Sequence, residues 1–157
     1  MFDKVSIANA VFGSRKSDIE YVERRAAYVV VIKGGEVAMV GSGRYRFLPG
    51  GGSLADEAPE ATVTREVREE LGLSVRLLQV VGEATQYFYS DSDDRHYEML
   101  GVFFAGEFTN RVPNSVAEHQ LEWVPLSEAT ALCFHECHAW AVRQSTGVAR
   151  RIKTSTY

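Results

Sequence analysis

Three glutamates, Glu66, Glu69 and Glu70, stand three and four residues apart in the run Arg65-Glu66-Val67-Arg68-Glu69-Glu70-Leu71-Gly72-Leu73. A helix places side chains with that spacing on one face. Adjacent like charges repel and weaken such a helix, so the pattern calls for a bound divalent cation as the neutralising partner. Carboxylate oxygens are hard donors that suit Mg2+, or Mn2+ in its place, rather than zinc. The competing reading is an ordinary amphipathic helix with a solvated acidic face. The glycine-rich loop at a fixed distance upstream weighs against it.

That loop is Phe47-Leu48-Pro49-Gly50-Gly51-Gly52-Ser53. Pro49 and its three glycines let the backbone approach a ligand closely and adopt positive φ. Pro59 suits a first helical turn, where its missing N–H costs nothing. Val63, Val67 and Leu71 form the opposite apolar stripe, which would seat the helix on a sheet. Gly72 suits a left-handed C-terminal cap. The full spacing is Gly51, five residues, Glu57, seven residues, then Arg65-Glu66-Val67-x-Glu69-Glu70-x-Gly72-Leu73.

Every defined position of this run resembles the signature of the Nudix hydrolases. The likeness is dense over residues 47–73, and strand-and-helix order extends it more loosely from about Arg25 to Val142. It implies an α/β fold of Nudix type, an α/β/α sandwich with a central mixed β-sheet. It also implies a metal-dependent enzyme that cleaves a nucleoside diphosphate linked to a group X by water attack on phosphorus. By the same resemblance Glu66, Glu69 and Glu70 are catalytic metal ligands and the Gly51 carbonyl is a further one. Glu66 is alternatively the group that helps deprotonate the water. Glu57 and Arg65 become a strut closing the loop onto the helix. Family members often draw another acid from a later loop; Glu118 is the candidate here and Glu122 its rival.

The chemistry fits these groups, because the anionic oxygens of a diphosphate repel an incoming nucleophile. A bound metal relieves that by neutralising charge, acidifying water and fixing the line of attack. For the substrate, Arg25 and Arg46 could hold phosphates bidentately, with Arg44 better read as surface. Tyr87, which shares a strand face with Tyr89, could stack a base, although alternating strand aromatics are more often core. A nucleoside triphosphate, canonical or oxidised, leads as substrate. Dinucleoside polyphosphates, nucleotide-sugars, capped RNA and a non-catalytic nucleotide sensor are the alternatives.

With 157 residues, 45% hydrophobic and 24% charged, the chain reads as one soluble domain spanning 1–157, its core at about 25–143. A net charge of −4 argues against duplex nucleic acid as partner. No apolar run is long enough for a membrane span. Two cysteines imply no disulfide framework, and with no signal-peptide core the expected compartment is the cytoplasm. The expected partner is a small-molecule nucleotide, and a homodimer is allowed.

The elements that must position the acids follow from periodicity. Strands are expected at 26–33, 36–41, 45–48, 74–89, 95–108 and 122–125. The glutamate helix is expected from about Asp56 to Leu71. A last helix, capped by Ser127, is expected from Glu128 to Arg143, followed by a flexible basic tail over 145–157. Cys133-Phe134-His135-Glu136-Cys137-His138 lacks the spacing of common zinc sites, so both cysteines read as small core side chains. The acidic run Asp91 to Asp94 reads as a solvated hairpin turn.

Overall fold

The computed structural model describes residues 7–154. In chain order the elements are β1 (Ala8–Phe12), β2 (Tyr21–Val30), β3 (Ile32–Lys33), β4 (Glu36–Ser42), β5 (Tyr45–Phe47), β6 (Gly50–Gly52) and α1 (Pro59–Leu71). There follow β7 (Leu73–Ser90), β8 (Arg95–Arg111), β9 (Leu121–Pro125), α2 (Leu126–Leu132) and α3 (Glu136–Thr154). The main sheet is mixed, in the order β1-β7-β8-β2-β6. β1 runs parallel to β7 and β2 parallel to β8, whereas β7 with β8 and β2 with β6 are antiparallel. A smaller antiparallel sheet joins β3, β4 and β5, with β9 on the other side of β4.

Alternation along β2 divides the core into two layers. Ala27, Val29 and Val31 face one side, where Val63 and Val67 of α1 and Phe104 of β8 close over them. Ala26, Tyr28 and Val30 face the other, against Cys137, Ala141 and Val142 of α3. Fully burying each valine stabilises by about 1.5–3 kcal/mol relative to exposure, so the apolar stripe of α1 is what holds its acidic face in place. The result is the expected α/β/α sandwich, with a second small sheet added at one edge.

Four expectations need correction. α1 begins at Pro59 rather than Asp56, because Asp56 takes a left-handed φ of 62° that no helix accepts. The last helix is two helices, and the first starts at Leu126 with Pro125, not Ser127, at its N-cap. Between them the Phe134 N–H donates to the Arg46 carbonyl at 3.1 Å and Cys133 bridges Arg46 on β5. Pairing with a strand edge therefore overrides local helix propensity. α3 restarts where the buried Gln86 side chain accepts the Cys137 N–H at 3.1 Å. The expected tail is instead a continuation of α3 to Thr154, and residues 155–157 lie outside those described. Finally, the core begins before residue 25, since Ala10 and Phe12 of β1 pack against it. Among the described residues, no helix is long and apolar enough to cross a membrane.

Candidate active site

Gly50–Gly52 form an edge strand laid on β2, with Gly50 opposite Tyr28 and Gly51 opposite Ala27. Gly50 has a φ of 141°, and a side chain there would meet the Ala27 carbonyl oxygen at 2.2 Å. Only glycine fits. A Cβ on Gly51 would lie 2.7 Å from the carboxyl carbon of Glu66, so that carboxylate rests on the loop backbone. Glu70 reaches the same strand, its Oε1 accepting the Gly50 N–H at 2.9 Å.

Arg65 ties helix and loop together. Its Nε and Nη2 donate to the two oxygens of Glu57 at 2.9 and 3.0 Å, the bidentate geometry expected of the strut. Nη2 also donates to the Gly52 carbonyl at 2.9 Å. Nη1 donates to Glu66 at 3.0 Å and Glu69 at 3.2 Å. Glu57 further accepts the Leu54 N–H and the Thr62 hydroxyl. The Arg65 guanidinium, with these other donors, holds the Glu57 carboxyl down at about 2.

The connection after β8 brings in the fourth acid. Its backbone closes the end of α1: the N–H groups of Glu118 and His119 donate to the carbonyls of Glu69 and Glu70 at 3.2 and 2.9 Å. The Val112 N–H donates to the Gly72 carbonyl, and Gly72 itself caps the helix in the left-handed conformation. Carbonyls that a helix terminus leaves without partners are satisfied in this way, and Glu118 arrives beside the other carboxylates. Burial pushes Glu70 up to about 7 against the opposing Gly50 N–H, and the charges of Glu66, Glu118 and Glu69 add to the rise. Glu66 is raised for the same reasons, burial first, with Arg65 opposing. Clustered carboxylates that resist ionisation are the electrostatic signature of a site that gains from a cation.

Beside this cluster lies a cleft of about 260 Å3, bordered by Arg24, Tyr28, Phe47, Gly51, Glu70 and His119. Of the residues chosen from sequence, Gly51 and Glu70 border this cleft, and the charges of Glu66, Glu69 and Glu118 act on Glu70. Arg25, Arg46 and Tyr87 do not border it. Arg25 points to the opposite face of the sheet, 3.6 Å from Glu23 and on a separate cavity of about 300 Å3 beside Ser53 and Glu57. Strand alternation gives the cleft to Arg24 instead. Arg46 is spent on Glu122 at 2.9 Å and on the Gly43 and Tyr45 carbonyls; the same ion pair holds Glu122 on β9. The Tyr87 hydroxyl donates to Glu98 at 2.7 Å, and its ring meets Tyr21 edge-on. His119 was missed for want of any signal beyond its place next to Glu118.

Among the described residues, no three His, Cys, Asp or Glu side chains converge as a ready-made metal cage. In the cysteine–histidine run Cys137 is core and Cys133 packs against it. Mg2+ fits the acidic cluster nonetheless. It keeps several waters and takes only one or two carboxylates with substrate oxygens, and the donors around Gly51 are all oxygen.

The NUDIX domain family model matches residues 22–144. The chain belongs to the Nudix family. Among its curated relatives is the putative 8-oxo-dGTP diphosphatase 3 of Mycobacterium tuberculosis, 37% identical over 89 residues. That match takes in 56% of this Nudix chain and 41% of the relative, so the chain spans about two fifths of that protein's length. The mouse diphosphoinositol polyphosphate phosphohydrolase 3-alpha is 29% identical over 131 residues, covering 80% of this chain and 76% of the relative. A NUDIX hydrolase from Nitrosomonas europaea superposes with a TM-score of 0.65 at 16% identity, over 80% of this chain and 90% of that one. An ADP-ribose pyrophosphatase from Streptococcus suis does so with a TM-score of 0.60 at 17% identity, over 81% and 92%. At these identities the structural likenesses speak for the fold.

Proposed function

We propose that this Nudix protein is a Mg2+-dependent pyrophosphohydrolase. It cleaves a nucleoside di- or triphosphate-type substrate to a nucleoside monophosphate and phosphorylated X. One observation carries the reading: the Glu66 and Glu70 carboxylates reach the Gly50–Gly51 backbone where the cleft opens, and the charges of Glu69 and Glu118 act on both. Mg2+, or Mn2+ in its place, supplies charge neutralisation of the anhydride oxygens and a more acidic water. Glu66, Glu69, Glu70 and the Gly51 carbonyl are the oxygen donors from which the ion would draw its protein ligands. Glu118, on its loop, takes the proton of the attacking water. Arg65, anchored by Glu57, sets the spacing of Glu66 and Glu69.

The substrate enters by the cleft. Arg24 takes a phosphate there, and the half-buried Phe47 ring offers a surface to a base. A cleft bordered by one arginine and two aromatic rings suits a nucleotide better than a ring crowded with phosphates. The name of one relative, a putative 8-oxo-dGTP diphosphatase, agrees with that preference. The chain acts as a single domain on a small molecule, and its cysteine usage suits the cytoplasm.

The test is a screen of the purified protein with Mg2+ against nucleoside triphosphates, oxidised nucleotides, dinucleoside polyphosphates, nucleotide-sugars and inositol pyrophosphates, reading released phosphate and pyrophosphate. Turnover of a nucleotide that stops on chelation and in Glu69→Gln supports the reading. Binding of a nucleotide without turnover of any of them replaces it with a sensor.

A further inference from the structure

α3 buries one polar atom that the fold leaves without a partner. His138 is fully buried against the rings of Tyr28 at 4.3 Å, His135 at 5.2 Å and Phe103 at 5.8 Å. Its Nε2 has no hydrogen-bond partner among the described residues. Its other ring nitrogen is used, since the Leu48 backbone N–H donates to Nδ1 at 3.1 Å. That bond assigns the tautomer, because a neutral ring that accepts at Nδ1 carries its hydrogen on Nε2. An unsatisfied buried donor is a cost. An aliphatic side chain would fill the space without it, so the acceptor at Nδ1 is what the imidazole contributes here.

The acceptor holds a segment already fixed at two other points. Leu48 is tied to α3 through His138, the Pro49 carbonyl accepts the Val29 N–H of β2 at 2.9 Å, and the Gly50 N–H donates to Glu70 of α1 at 2.9 Å. Pro49 has a locked φ, and Gly50 already sits hard against the Ala27 carbonyl. Leu48, Pro49 and Gly50 are consecutive, so the three contacts act on one short run of backbone.

We infer that His138 is a positioning residue, which by holding the Leu48 amide sets the Gly50 N–H against Glu70 and so orients that carboxylate from the opposite layer of the sandwich. The inference rests on the hydrolase reading above for its consequence in turnover. His138 itself does not border the cleft.

Three variants separate positioning from packing. His138→Leu keeps bulk and removes the acceptor, His138→Asn places an amide oxygen near Nδ1, and His138→Gln carries the acceptor one atom too far. The readouts are amide hydrogen exchange at Leu48 and Gly50 in metal-free protein, Mn2+ affinity by electron paramagnetic resonance, and kcat and KM for the nucleotide found in the screen. In His138→Leu both amides exchange faster, and Mn2+ affinity and kcat each fall about 10-fold with KM little changed, the size expected when a ligand's supporting contact is lost. His138→Asn restores most of each loss. Faster exchange at Leu48 alone, with Gly50, Mn2+ affinity and kcat as in the wild type, overturns the inference. Should the leucine variant not fold, the other two decide: Mn2+ affinity kept in Asn and lost in Gln supports positioning, and equal affinities overturn it. A wild-type protein that turns over no nucleotide refutes the hydrolase reading, while the exchange and Mn2+ measurements still judge His138.

Discussion

Glu70→Gln should make the metal-free protein more stable and the enzyme inactive. Glu70 is 8% exposed, and burial beside Glu66, Glu118 and Glu69 lifts its carboxyl from the ordinary 4.5 to about 7. A carboxyl raised on folding favours the folded state while it holds its proton. Its contribution is fully present below pH 4.5 and is lost as the pH rises to 7 and beyond. At about 1.4 kcal/mol per pH unit, the distance from 4.5 to about 7 comes to about 3 kcal/mol lost at pH 8. The glutamine amide carries no charge and keeps an oxygen for the Gly50 N–H, so it escapes that loss. For a domain of this size about 3 kcal/mol corresponds to a Tm higher by roughly 6–12 °C. The assay is thermal denaturation of both proteins in chelator at pH 8 and pH 4.5, repeated at pH 8 with Mg2+. The variant should melt higher at pH 8, the gap should close at pH 4.5, and Mg2+ should raise the wild type more than the variant. A variant less stable than the wild type at pH 8, or a gap of the same size at both pH values, refutes the reasoning.

Other substitutions probe the rest of the site. Arg24→Ala should raise KM for the nucleotide by about 10-fold or more through loss of a charged phosphate contact, while Arg25→Ala, on the other face of the sheet, should leave steady-state kinetics unchanged. Glu118→Gln should lower kcat by about 10²–10⁴-fold with little change in KM, the range for a lost general base; a wild-type rate would move that role to Glu66. Glu57→Gln should destabilise the protein at pH 7 but not near pH 2. The folded-state carboxyl is depressed to about 2, so its stabilising pair with Arg65 is present above pH 4.5 and lost as the pH falls to 2; urea midpoints at the two pH values read this out.

The sequence by itself determined the glutamate helix and its glycine loop, and the family resemblance supplied the Glu57–Arg65 pair. All of these are local: helical periodicity puts Glu66, Glu69 and Glu70 on one face and Val63, Val67 and Leu71 on the other, and only glycine fits at Gly50. Strand positions were legible for the same reason, from valine runs and glycine turns. Tertiary structure alone decided which arginine meets the cleft, since a one-residue step along β2 sends Arg24 and Arg25 to opposite faces, and only the packing of α1 and α3 says which face is which. It also set Glu118 and Glu122 in different places. The first lies on a loop whose amides complete the end of α1, and the second is held by Arg46 on the small sheet. The break between α2 and α3 came from the same source, a strand edge at Arg46 and the Gln86 side chain competing with helical hydrogen bonds. Contacts between residues more than forty positions apart leave no period in the chain, so where Glu118 comes to lie against the end of α1 is fixed only when the layers close.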